Sequence, residues 1–82
     1  MPDKKREQNE SKFENWKGAE NGGRIYWFEI SGHSGWKARY VKVVDENEKT
    51  LAFYQEIYNQ RNELIEVHEK YPVDKGHKKI NK

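Results

Sequence analysis

The chain has no cysteine, so neither disulfides nor thiolate-bound zinc can hold it together, and a reducing, cytoplasmic compartment is expected. No run of apolar residues is long enough to span a bilayer, and MPDKKREQNESKF contains none that could act as a signal-peptide core; the reading is a cytoplasmic protein with no membrane partner. Metal-ligand spacing is also missing, because His33, His68 and His77 do not stand at intervals typical of a site, and no metal is expected. The SGHSG segment could form an anion nest from its backbone amides. It has no Walker or dinucleotide fingerprint around it, turn chemistry accounts for its glycines, and no cofactor is expected.

Size sets a further limit. A single domain of 82 residues buries only about 60% of the surface its unfolded chain exposes. With 37% charged and 33% hydrophobic residues the bulk figures lean toward disorder, but aromatics reach 13% and gather in the middle of the chain, which predicts a folded centre with loose ends. Charge is unevenly spread. Residues 1–22 cancel, residues 23–44 carry four positive side chains against one negative, residues 45–70 three against seven, and residues 71–82 four against one. A basic block followed by an acidic one fits either pairing between neighbouring strands or a functional basic patch.

Residues 1–22 are read as a polar N-terminal segment containing a short helix. Ser11 and Glu14 stand at capping-box spacing, Phe13 and Trp16 would share one side of the helix, and Gly18 would end it. So short a helix needs a docking surface for those two rings. Residues 23–73 read as a four-stranded antiparallel meander, with strands at 24–30, 36–44, 50–58 and 63–71 joined by SGHSG, DENEK and NQRN. Pro72 ends the last strand, and residues 74–82 form a basic C-terminal tail. The fold class is α+β, mostly β, with disordered termini.

A register follows if the loops are closed symmetrically. Ile30 then faces Trp36, which sets Glu29 against Lys37, Trp27 against Arg39, Phe28 against Ala38 and Tyr26 against Tyr40. Val44 opposite Thr50 sets Tyr40 against Tyr54, and Ile57 opposite Ile65 sets His68 against Tyr54. Because side chains alternate, one face becomes mainly aliphatic (Ile25, Trp27, Val41, Phe53, Ile57) and the other mainly aromatic (Tyr26, Phe28, Trp36, Tyr40, Tyr54). Neither can stay bare in water. The chain's own helix can cover only one of them, so the other is expected to need a partner.

That expectation shapes the functional reading, a small non-enzymatic binding or assembly module. Its aromatic face, Tyr26, Phe28, Trp36, Tyr40 and Tyr54, with Lys37, Arg39 and Lys42 on the same strands, would bind another protein or a second copy of the chain. Single-stranded nucleic acid is the next ligand class, stacked on rings and held by lysines. The acidic strands at 50–58 and 63–71 would repel phosphate, which confines any nucleic acid to the first two strands and the tail. The competing reading is a metal-free ribonuclease in which His68 and His77 act as base and acid and Lys70 steadies developing charge.

The segment EIYNQRNELIEVHEKYPVDKGHKK, preceded by GWKARYVKVVDENEKTLAFYQEIY, resembles the end of a group of short uncharacterised bacterial proteins of cyanobacterial type. The resemblance covers about the last fifty residues of the sequence. It implies a self-contained small protein and assigns no functional residue.

Overall fold

The computed structural model describes residues 2–73 and 76–79, with side chains for residues 3–73. A helix, α1 (Pro2–Lys12), precedes six strands: β1 (Asn15–Gly18), β2 (Arg24–Ser31), β3 (Lys37–Val44), β4 (Thr50–Tyr58), β5 (Leu64–Tyr71) and β6 (Gly76–Lys79). They form one open antiparallel meander in chain order. The expectation of four strands is therefore corrected: β1 to β5 make five, and β6 adds backbone pairing along β5. Side chains of the basic tail expected over residues 74–82 lie outside the described residues.

The turns explain the sheet. Three of them, at residues 19–23, 45–49 and 59–63, repeat one hydrogen-bond pattern. The amide of the first residue donates to the carbonyl of the fifth, and the amide of the fourth donates back to the carbonyl of the first. The fourth residue has positive φ in each: Gly22 (85°), Glu48 (63°) and Asn62 (62°). Such a tight turn closes a hairpin when one residue accepts the left-handed conformation. Asp45 and Asn59 brace their turns with a side-chain oxygen that accepts two downstream amides. Gly23 is required for a second reason. A Cβ there would come within 2.2 Å of the Val44 carbonyl oxygen, so any other residue would push β2 from β3.

These turns revise the expected register. Gly32 donates to the Trp36 carbonyl, so the hairpin closes on Gly32 and Trp36. Ile30 therefore lies opposite Ala38, with Phe28 opposite Tyr40, Tyr26 opposite Lys42 and Trp27 opposite Val41. That is a slip of two residues, which preserves the faces. Between β3 and β4 the change is larger. Val44 pairs with Thr50 as expected, but a bulge follows and Val43 pairs with Ala52. One extra residue reverses the alternation of the rest of the strand. Phe53 and Ile57 thus join the face of Tyr26, Phe28 and Tyr40, while Tyr54 and Tyr58 turn to that of Trp27 and Val41. On β5, His68 pairs with Gln55 and Glu66 with Ile57, in place of the expected Tyr54 and Ile65 pairings.

The expected helix is also corrected. Residues 13–18 are not helical: Phe13 follows the last turn, and Trp16 is on β1, paired with Tyr26. The Ser11 hydroxyl donates to the Gln8 carbonyl inside α1 and forms no N-terminal cap. The helix itself, PDKKREQNESK, has no apolar stripe, so polar contacts hold it. Arg6, Asn9 and Phe13, spaced three and four apart, lie on one side. Arg6 and Asn9 donate to the Glu48 carboxylate at 2.8 and 3.0 Å, and Glu10 pairs with Arg24 at 2.7 Å. Phe13 then seats a ring against Tyr26 and Phe28, with centroids 5.9 and 5.3 Å away. The core lies beneath this joint, where Phe13, Tyr26 and Val44 are buried and Phe28 and Phe53 pack alongside.

Candidate binding surfaces

The sheet presents two unlike surfaces. On the helix face a row of rings runs from Phe13 through Phe28 and Tyr40 to Phe53, with successive centroids 5.3, 5.0 and 6.5 Å apart. At one end of this row sits the Glu48 network. The Glu48 side chain is fully buried, and its carboxylate also accepts from the Tyr26 hydroxyl at 2.8 Å. Burial alone would raise the Glu48 carboxyl, but hydrogen bonds from Arg6, Asn9 and Tyr26 outweigh it and hold it below its usual range. The same burial, with the Glu48 charge beside it, raises the Tyr26 hydroxyl.

Between α1 and this end of the sheet opens a cleft of about 580 Å³. Lys5, Lys12, Lys42 and Lys49 line it together with Phe13, Phe53 and Tyr71. Lys42 donates to Asn9 Oδ1 at 2.9 Å. Its ammonium is lowered from the ordinary lysine value by burial and by the facing charges of Lys12 and Lys5, against the pull of Glu48.

The opposite, open face is built from Ile25, Trp27 and Glu29 of β2, Lys37, Arg39 and Val41 of β3, and Tyr54, Glu56 and Tyr58 of β4, by register. α1 packs on the helix face, so no described helix lies over this one; its own side chains shield its centre, where Val41 is buried and Ile25, Trp27, Tyr54 and Tyr58 are half-buried. A shallow groove of about 260 Å³ runs between Trp27, Val41, Tyr54 and Tyr58. Arg39 anchors one end by a two-nitrogen contact to Glu29, and Lys37 lies 3.7 Å from the same carboxylate. Burial, and then the neighbouring Glu56 carboxylate, raises the hydroxyls of Tyr54 and Tyr58. Tyr58 donates to Glu56 at 3.0 Å.

No protein-family model, curated protein or solved structure matches this chain. Function is therefore argued from the surfaces alone.

The residues expected to act together are divided by the structure. Tyr26, Phe28, Tyr40 and Lys42 are on the helix face, while Lys37, Arg39 and Tyr54 are on the open one. Trp36 is exposed beside the turn His33–Gly35. Tyr26 is 0% exposed, so its ring cannot meet a ligand. The Trp27–Arg39 cross-strand pairing becomes Trp27–Val41, and Arg39 lies instead 5.3 Å from the Tyr58 ring. Lys70 is positioned over the Tyr40 ring at 5.4 Å. The backbones of His68 and His77 pair directly across β5 and β6, but the His77 side chain lies outside the described residues. Among the described residues no group of three potential metal ligands gathers, and no helix is long and apolar enough to cross a membrane. Sequence reasoning missed Glu48 and Asn9. Glu48 looked like one more acid in DENEK, and only the contact with Arg6, Asn9 and Tyr26 distinguishes it.

Proposed function

We propose that the protein is a non-enzymatic assembly module that pairs with a second copy of itself through the open face. The single observation carrying this reading is that an apolar and aromatic sheet surface has no covering layer among the described residues, whereas the other surface is closed at one end by α1. Charge favours a copy of the chain over a strongly charged partner. Among the residues with described side chains, Lys17, Lys37 and Arg39 on the face are matched in number by Glu29, Glu56 and Glu69, so two such faces related by a twofold axis can offset each other. Area suffices as well. Strands of eight residues at about 3.3 Å per residue and about 4.8 Å between strands give about 500 Å² per protomer over β2 to β5. The pair reaches the roughly 1,000 Å² that a specific interface needs. In this reading the protein works in the cytoplasm, where a chain free of cysteine loses nothing to reducing conditions.

Sedimentation tests it. The wild-type chain should run at twice 9.9 kDa, Trp27→Glu should run as a monomer with unchanged circular dichroism, and Lys12→Glu on the helix should leave the dimer intact. A wild type that stays monomeric even at high protein concentration rules the reading out.

The second reading, a ribonuclease using His68 and His77 with Lys70, has one observation in its favour, the direct backbone pairing of the two histidines. It requires RNA cleavage that disappears in a folded His68→Ala variant. RNA left intact after long incubation with the wild type ends it.

A further inference from the structure

The helix-face cleft is a second surface with a different chemistry. Its rim holds Lys5, Lys12, Lys42 and Lys49, and among the described residues the only acid lining it is Glu48. That carboxylate is shared with Arg6, Asn9 and Tyr26 and pulls on Lys42, so one negative charge stands against four lysines and the described cleft stays net positive. Four ammonium groups around one space repel each other, and an anion placed between them relieves that repulsion. The positions are built by the fold. Lys5 and Lys12 are seven residues apart on one side of α1, Lys42 is fixed by its hydrogen bond to Asn9, and Lys49 closes the turn that carries Glu48.

The wall opposite is aromatic. Phe53 and Tyr71 are register partners on β4 and β5; Phe53 is half-buried against the ring row, and Tyr71 is 42% exposed. A cleft of about 580 Å³ is within the range of small-ligand sites, typically about 300–1,000 Å³. Bare phosphate would leave the aromatic side unused, and a neutral aromatic ligand would leave the lysines unused. We propose that this cleft binds a nucleotide, its phosphate held among Lys5, Lys12, Lys42 and Lys49 and its base stacked on Phe53 and Tyr71. Lysines holding phosphate beside rings that take a base is how single strands are bound without sequence preference. Phe53 and Tyr71 belong to the acidic strands β4 and β5, but Glu56 and Glu69 of those strands are on the open face by register, away from the cleft.

A free nucleotide and a unit of a single strand offer the same phosphate and base, and the test separates the two. Fluorescein-labelled oligothymidylate is titrated by anisotropy at low salt, and AMP, inorganic phosphate and adenosine are used as competitors. Binding should weaken steeply with salt, by about 0.7 in log–log slope for each phosphate contact on a single strand. Lys12→Ala combined with Lys49→Ala, both exposed and without ion pairs among the described residues, should weaken it on the order of tenfold or more and flatten the slope. Tyr71→Ala should weaken oligonucleotide and AMP while leaving the salt slope unchanged. Arg61→Ala, exposed in the turn at residues 59–63 and outside both the cleft and the open-face groove, should change nothing. Displacement by AMP identifies the free nucleotide as sufficient; binding of the oligonucleotide that AMP does not displace identifies the strand. Absence of binding by both probes at low salt overturns the proposal, as does inorganic phosphate competing as well as AMP, or Arg61→Ala weakening binding as much as the cleft variants.

Discussion

The two faces of this sheet are made from the same strands and differ in how their apolar side chains are held. On the helix face Tyr26 is completely enclosed, packed by Phe13 and hydrogen-bonded to a buried carboxylate. On the open face Trp27, the next residue along β2, is only half-buried among its sheet neighbours. Adjacent residues of one strand thus live in different environments because a polar helix, with no apolar stripe, reaches Glu48 and carries Phe13 over one side. A small sheet can assemble a core without an amphipathic helix, provided a buried ion network fixes where the covering segment lands.

Substitutions can break that comparison. The largest effect is expected for Tyr26→Ala, which removes a fully buried ring and one Glu48 donor. Loss of about 3–5 kcal/mol approaches the whole stability of a domain this size, about 4–12 kcal/mol at about 0.05–0.15 kcal/mol per residue, so urea melts should show it largely unfolded. Tyr54→Ala, the same change on the open face, should cost about 1–2 kcal/mol in the monomer. Equal losses at the two sites would mean that both faces are equally covered in solution.

Acid sharpens the same contrast. In the folded chain Glu48 titrates below the ordinary carboxyl value, about 4.3 in an unfolded chain, so between the two the unfolded state binds more protons. Its contribution is present above that value and is lost as pH falls through the folded one. Denaturant midpoints measured downward from about pH 5 should therefore drop for the wild type and drop less for Glu48→Gln. Glu29 is lowered too, first by its hydrogen bond from Arg39 against burial. It lies on the open face with 38% of its side chain exposed, so Glu29→Ala should cost under about 1 kcal/mol, the smallest effect of the set. A Glu29 variant as damaging as a Glu48 variant would erase the distinction between the faces.

The strands were legible because composition and turn residues leave little choice. Residues 50–58 match β4 throughout, and the other expected strands are off by a residue at an end. The turn at SGHSG was misread by two residues because closure on Gly32 and Trp36 needs Ser34 and Gly35 in the left-handed region, at φ 56° and 81°. A serine does not advertise that conformation. The bulge after Val44 was invisible for a similar reason. The turn before it places a glutamate at positive φ, a position usually given to glycine or asparagine, and here the buried carboxylate network accompanies it. The N-terminal helix was expected some residues too late, after Ser11 instead of over Pro2–Lys12, because hydrophobic periodicity is the usual signal and α1 docks through arginine and asparagine.

A mostly β meander with an apolar surplus on both sides of its central strands is written in the order of residues, because β-branched and aromatic runs between turn residues admit few alternatives. Which side is covered, and which rings share a face, comes from the three-dimensional packing. A single bulged residue reverses the alternation of a strand, and a buried carboxylate chooses where a polar helix lands. The helix's landing depends on contacts between residues about forty apart in the chain, Arg6 with Glu48 and Asn9 with Glu48, which no local pattern encodes; the bulge lies within one hairpin, at Val43 and Val44.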